Sequence, residues 1–341
     1  MIEFLSEYGL FLAKAITIVI AILAVVGGLI GLGSKHKGDT LKLDVNRIND
    51  RFDKMNMALK QGVFGAKAFK KAVKAANKHK KQKDKSDEDG SPRIFVLDFD
   101  GDIKATGVGA LREEITALLT FATPEDEILV RLDNAGGLVH EHGLAASQLK
   151  RIRDRKIPLT VAVDKVAASG GYMMACIADR IISAPFAIVG SIGVLAQIPN
   201  FHKLLDKHGV AMEQFKAGQF KRTVTMFGEN SAEDREKMQE ELEETHQLFK
   251  QFVAEHRPVV DIDKIATGEH WYGSQALALK LVDAIQTSDD YLLENSKDHD
   301  LFSVKYAGKK SLGEKLAGVL GESSEKLMLN WWKQNENSKW G

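Results

Sequence analysis

Residues 166–172, VAASGGY, set Ser169 between two alanines and two glycines, directly after a strand-like run and directly before an apolar helical run. Small neighbours let a strand turn sharply into a helix and leave the hydroxyl uncovered. The helix start then supplies backbone N–H groups and a partial positive charge. Such surroundings serve a nucleophile whose attack creates an oxyanion; a tight strand-to-helix packing junction needs the same small residues. A second glycine pair, Gly136 and Gly137, follows the run LVRLDNA at the point where another helix begins. Its amides can open into the same crevice beyond the strand ends. A serine backed by a helix start and flanked by a second nest of donors fits acyl transfer.

That serine needs a base. The chain has 10 histidines, none in a setting that dictates a triad. His140 and His142 follow the glycine pair by one helical step and would hold a metal only with a third ligand that the sequence does not identify. His202 and His270 read as packed or solvated side chains. A lysine is the better candidate, although spacing alone cannot choose among 47 basic residues. A general-base lysine must shed its charge, because a reference pKa of about 10.4 keeps it protonated at neutral pH; burial and a hydroxyl partner are what lower it. The single cysteine, Cys176, lies in the apolar helical run and excludes an internal disulfide framework and a Cys-based zinc site. Neither a metal nor an organic cofactor is expected.

The elements that must position these residues alternate. RIFVLDF, EILVRL and IPLTVAV read as strands, LREEITALLTFA and LVHEHGLAASQLKRIRDR as helices, and DRIISAPFAIVGSIGVL as two further short strands. Alternation of this kind predicts an α/β domain with a largely parallel sheet. Ser231 is expected to cap a long helix with Asp234 at its third position, and Pro258 to stop it.

Outside this domain the chain changes texture. Ala15 to Gly33 is an uncharged run flanked by Lys14, Lys35 and Lys37; at about 1.5 Å per residue it nearly spans a hydrocarbon core of about 30 Å and reads as a membrane anchor. Residues 43–60 repeat Ile48, Phe52, Met55 and Leu59 at helical spacing. Nine lysines between Lys67 and Lys85, followed by Asp87, Glu88 and Asp89, make a polar linker suited to anionic lipid headgroups. The tail carries Trp331, Trp332 and Trp340 among lysines, fitting either a membrane interface or a helix packed on a neighbouring subunit. The domain expectation is therefore 1–40 anchor, 41–91 amphipathic helix and linker, 92–295 catalytic domain and 296–341 tail. Lys+Arg and Asp+Glu both total 47, so charge balance gives no sign of a nucleic-acid partner.

VAASGGYMMACIADRIISAPFAIVGSIGV (166–194), the glycine pair, AGQFKRT (217–223) and GEHWYGSQALALKLVD (268–283) together resemble the signal peptide peptidase A family. The resemblance covers nearly the whole chain. It implies a Clp protease/crotonase-like α/β fold with an N-terminal transmembrane helix, and a serine endopeptidase with a Ser/Lys dyad. In it Ser169 matches the nucleophile, Lys221 the general base, Ser191 the serine that orients the lysine, and Gly136 and Gly170 the oxyanion donors. It further implies peptide substrates, namely residual signal peptides or apolar segments of membrane proteins, and a homo-oligomeric ring, an octamer, whose sites are shared between protomers. Its setting is the bacterial inner membrane, crossed once. Lysines after the anchor would by themselves keep the domain cytoplasmic; the resemblance implies the periplasmic face.

Two positions depart from the family pattern. Asn134-Ala135 stands where Ser-Pro usually precedes the glycine pair, removing proline rigidity. Lys280 stands where glycine is usual, which requires a left-handed lysine at a helix end. A rival reading takes Asp98 and Asp100, at the end of a strand, as the opening of a haloacid-dehalogenase phosphatase; strand-end capping is the plainer role. A further alternative is a catalytically weak membrane-bound ring scaffold of the same fold.

Overall fold

A computed structural model of the chain describes residues 9–12, 14, 16–21, 43–71, 73–74 and 92–306. The chain divides into two units, Met1–Lys42 and Leu43–Gly341. The described residues of the first are helical, with exposed side chains that include Leu10, Phe11, Ile16, Ile18 and Ile20. Among the described residues no helix is long and apolar enough to cross a membrane. The remainder of the expected span, most of the Lys-rich stretch and the Trp331, Trp332 and Trp340 tail lie outside the described residues.

The second unit is a mixed α/β structure. Its strands are β1 (Leu43–Arg47), β2 (Arg93–Gly101), β3 (Glu127–Asn134), β4 (Leu159–Val163), β5 (Val166–Ala168), β6 (Arg180–Ser183), β7 (Ile188–Gly190), β8 (His270–Tyr272), β9 (Ala284–Ile285) and β10 (Asp300–Tyr306). Its helices are α1 (Ile48–Val63), α2 (Val108–Leu119), α3 (Val139–Arg153), α4 (Gly170–Ala175), α5 (His202–Lys207), α6 (Ala232–His256), α7 (Ile262–Ile265), α8 (Gly273–Ala278) and α9 (Ser288–Asn295). The sheet runs β1-β10-β2-β3-β4-β6-β9, parallel apart from the β1–β10 pair. Beyond Arg131 the strand β3 changes partner: Asn134 pairs with Ala167 of β5, and β5 leads on to β7 and β8. The sheet thus forks at the end of β3, and the fork carries Ser169.

Period-two alternation divides the strands between two faces. Phe95, Leu97 and Phe99 face one core with Val130, Leu132, Val161 and Val163, covered by Leu111 and Ile115 of α2 and Leu149 and Ile152 of α3. Ile94, Val96, Leu129, Ala162 and Ile182 face the other, covered by Tyr291 and Leu292 of α9 and by Ile48 and Phe52 of α1. Residues 43–47 differ from the helix expected there. They extend because β10 offers an open edge, which β1 pairs antiparallel from Leu43↔Tyr306 to Arg47↔Phe302. Only half of the helical stripe that follows is covered, since Met55 and Leu59 stay exposed.

The long helix α6 starts as its sequence dictates. Ser231 accepts from Asp234 N–H while the Asp234 carboxylate accepts from Ser231 N–H, a reciprocal capping box. The helix α4 is a different case: all six residues are buried, so packing and not amphipathic pattern holds it. Tyr172 anchors it by donating to Leu281 O at 3.0 Å. Leu281 belongs to the turn that ends α8, in which Lys280 adopts φ 61°. Lys280 N–H donates to Leu277 O and Leu281 N–H to Ala276 O, a Schellman arrangement. The buried Arg257 clamps the same turn, through Lys280 O and both carboxylate oxygens of Asp283.

Candidate active site

Ser169 is the hinge between β5 and α4. Its backbone sits at φ 52°, ψ −118°, a conformation costly for a residue with a Cβ. Its N–H donates to Gly190 O at 2.7 Å, and its own carbonyl accepts from Met173 N–H at 3.0 Å. With the main chain held from both sides, the side chain is half-buried and its hydroxyl has no hydrogen-bond partner among the described residues. Oγ is therefore available to a substrate at the N-terminal end of a buried helix.

Ser191 follows Gly190 directly. Since Ala168 pairs with Gly190, the two serines continue adjacent strands, and Ser191 has the same φ of 52°. Its N–H donates to Glu269 O at 2.7 Å.

Gly136 closes the site from the β3 side. Its φ is +90°, and a Cβ there would stand 2.7 Å from both Gly170 N and Ser169 Cβ. Only glycine allows the loop to lie so near the nucleophile. Its N–H is not free: it donates to Asn134 Oδ1 at 2.8 Å. The residue after the pair, Leu138, donates its N–H to Ile103 O at 2.9 Å, which brings the exposed side chains of Ile103, Leu138 and Val139 to the rim.

Ser169, Ser191, Gly136 and Gly170 thus come together, and Lys221 does not join them in a single chain. Lys221 is exposed, its N–H bonded to Gly218 O at 3.2 Å, and among the described residues no hydrogen bond or ion pair joins its side chain to either serine. It lies on a segment that follows the buried Ile192 and carries large apolar side chains in solvent, Leu195 at 82% and Phe215 at 91% exposure among them.

The histidines sort differently from one another. His140 is exposed beside Glu141, whereas His142 is fully buried between Leu138 O and Asn134 Oδ1. The pair therefore does not converge on a common ligand. Sequence reasoning passed over Asn134 and His142 as partners because an i, i+8 contact across a loop leaves no periodic signal.

Asp98 and Asp100 lie on the opposite face of β2 from Phe99. Asp98 is held by Arg131 through Nε at 2.6 Å and Nη2 at 3.0 Å, so its carboxylate is committed to an ion pair. Cys176 is fully buried, and burial pushes its thiol well above the usual range, which leaves it no nucleophile at neutral pH.

Two family models cover this chain: peptidase family S49 N-terminal matches residues 3–149, and peptidase family S49 matches residues 151–301. The chain is 51% identical to probable protease SohB of Haemophilus influenzae over 333 residues, 94% of each chain. It is 52% identical to probable protease SohB of Buchnera aphidicola subsp. Acyrthosiphon pisum over 244 residues, 71% of this chain and 73% of that one. Among solved structures, a mutant of the 1510-N membrane-bound stomatin-specific protease aligns with a TM-score of 0.41 and 14% identity, over 60% of this chain and 84% of that one.

Proposed function

The chain belongs to peptidase family S49, and on that premise we propose that it is a membrane-tethered serine endopeptidase of Clp protease/crotonase-like fold, with Ser169 as nucleophile and Lys221 as general base. The observation that carries the reading is the strained serine at the head of a buried helix, its hydroxyl without a partner among the described residues, with Gly136 against its Cβ.

The chemistry follows from these groups. Ser169 Oγ adds to the scissile carbonyl carbon, its proton passes to the neutral Lys221 amine, and the carbonyl π pair moves onto oxygen. Gly170 N–H, aided by the helix start, and the Gly136 amide receive that oxyanion. Collapse expels the amine product, which takes the proton back from Lys221, and leaves an acyl-serine. Water, deprotonated by the same lysine, then attacks the ester, and the lysine returns that proton to Oγ as Ser169 is released. Ser191, continuous with the strand beside Ser169, is the hydroxyl that orients the lysine.

An exposed Lys221 in a single chain fits a site completed by a neighbour. Docking the apolar segment around Leu195, Phe215 and Phe220 onto another protomer would remove large apolar side chains from water and desolvate the lysine in the same step. The reading is therefore a ring, an octamer as in the resembling family, in which each Ser169 uses a neighbour's Lys221. Exposed Ile103, Leu138 and Val139 beside the glycine pair favour apolar peptide segments, residual signal peptides included. The exposed apolar side chains of the described helical residues 9–12 and 16–21, with the uncharged run continuing to Gly33, favour a single inner-membrane anchor, and the family resemblance puts the catalytic domain on the periplasmic face.

A fluorophosphonate probe applied to the assembled full-length protein tests the assignment. Labelling is expected at Ser169, absent in Ser169→Ala and strongly reduced in Lys221→Ala. An intact ring that takes no label would favour the scaffold reading, to which the occupied Gly136 amide lends its one observation.

A further inference from the structure

The end of β3 is bound more tightly than a glycine loop requires. Asn134 is fully buried. Its carboxamide accepts from Gly136 N–H through Oδ1 at 2.8 Å, and Nδ2 lies 3.4 Å from Met174 Sδ. A Cβ on Gly101 would stand 2.4 Å from Asn134 Cγ, so the side chain has no room to swing toward β2. His142 Nε2 lies 3.2 Å from the same Oδ1, with Nδ1 3.0 Å from Leu138 O. Gly136 N–H fixes Oδ1 as an acceptor, and Leu138 O is an acceptor at Nδ1, so a neutral ring donates to one of the two; with its proton on Nε2, His142 is a second donor to Oδ1. The imidazole also fills the space beneath the nucleophile's neighbour: a Cβ on Gly170 would stand 2.4 Å from His142 Cγ. One chain of contacts therefore joins Gly101, Asn134 and His142 to the residue after Ser169.

The amide that an oxyanion would use at Gly136 is thus already donating, to a neutral carboxamide. A negatively charged oxygen is the stronger acceptor and can draw the N–H across. Doing so strips a buried carbonyl oxygen of one of its two donors, which is costly unless the other stays. His142 is that other donor.

We propose that Asn134 latches the oxyanion loop by holding the Gly136 amide in the resting enzyme, and that His142 makes release possible by keeping Asn134 Oδ1 bonded when the amide turns to the tetrahedral intermediate. Both are positioning residues, acting on the Gly136 amide and touching no substrate atom. The inference rests on Ser169 being the nucleophile. It makes opposite demands on two neighbouring side chains, which a merely structural role for either would not.

The test uses full-length protein in detergent, a fluorogenic peptide with alanine before the scissile bond, and separate kcat and KM values. Asn134→Leu removes the acceptor while keeping the number and branching of side-chain heavy atoms; freeing the amide should raise kcat about 3- to 10-fold with KM little changed. His142→Phe keeps a ring but removes the donor, so kcat should fall by a similar factor. The double variant should behave like Asn134→Leu, because without the latch nothing is left for His142 to relieve. A folded Asn134→Leu protein, judged by a cooperative thermal transition and an intact ring, whose kcat is equal or lower overturns the latch. If that variant does not fold, Asn134→Ala is read by the same criterion. Ser169→Ala runs in parallel. Hydrolysis that survives it overturns the nucleophile assignment and the latch together, whereas Ser169-dependent hydrolysis that falls in Asn134→Leu overturns the latch alone.

Discussion

Ser169 and Ser191 occupy equivalent positions on adjacent parallel strands, each one residue past the Ala168↔Gly190 pair, and each is forced to φ 52°. The bond from Ser169 N–H to Gly190 O ties one strained residue to the carbonyl that precedes the other. Strain at a non-glycine residue costs on the order of 1–3 kcal/mol and persists only where the surroundings impose it. Ser169→Gly should therefore abolish hydrolysis and raise stability by about 1 kcal/mol, or roughly 2–4 °C in melting temperature. Ser169→Ala should abolish hydrolysis without that gain, since alanine keeps a Cβ. Thermal unfolding of the two variants side by side checks the difference; equal melting temperatures would contradict the strain argument.

Lys280 offers the same test away from the chemistry. It is exposed, at φ 61°, and its carbonyl rather than its side chain is used, by Arg257. Lys280→Gly should stabilise the protein by about 0.5–1 kcal/mol, the strain relieved outweighing the extra freedom given to the unfolded chain. Peptidase activity should be unaffected. Denaturant midpoints at constant slope measure the gain.

Asp126 and Glu114 make acid and neutral stability depend on different groups. Burial alone would raise the Asp126 carboxyl, but the two bonds from Arg93, at 2.6 and 2.8 Å, with Thr123 N–H at 2.8 Å, outweigh it and hold the group below the usual carboxylate range. Its stabilisation is complete above the unfolded value of about 3.9 and is lost as pH falls through the lower folded value. Glu114 is opposite in sign: burial raises it, only partly offset by Tyr306 N–H, so its contribution is complete below about 4.3 and is lost as pH rises through the higher folded value. Asp126→Asn should cost about 1–3 kcal/mol at pH 7, with the gap to wild type closing as pH falls below 4. A gap that is constant with pH would mean that packing and not the ion pair is what Asp126 contributes.

Much of this was readable from local pattern. Alternating apolar runs located β2, β3 and β4, and Ser231 and Asp234 announced the start of α6; the left-handed backbone at Lys280 was legible only through the family resemblance, in which glycine is usual there. What local pattern could not carry was contact between distant segments. Leu43–Arg47 reads as the front of an amphipathic helix, and only the open edge of β10, more than 250 residues later, makes it a strand. Ala-Ser-Gly-Gly marks a sharp turn, yet the hold on the Gly136 amide depends on Asn134 being buried under Gly101, which no spacing rule encodes. Lys221 shows the limit in another form: its sequence setting, after Phe220, is apolar, but in one chain both side chains face solvent.

That exposure leads to the sharpest test of a shared site. If each Ser169 depends on a neighbour's Lys221, Ser169→Ala and Lys221→Ala protomers are each inactive alone but complementary when mixed in one ring. A working site then arises wherever a protomer retaining Ser169 meets, in the right direction, one retaining Lys221. For random assembly from equal amounts that is about a quarter of all sites, because a head-to-tail ring contact has one serine side and one lysine side. Peptide hydrolysis should therefore recover to roughly a quarter of the wild-type rate after the two variants are dissociated and reassembled together, and stay at background when they are mixed without dissociation. Recovery requires no new contact, only the pairing of an intact alcohol with an intact amine across the interface. Reassembled mixed rings that remain at background would require the lysine to act within its own chain, and the exposed segment from Leu195 to Phe220 would then have to fold back onto the Ser169 of the same protomer.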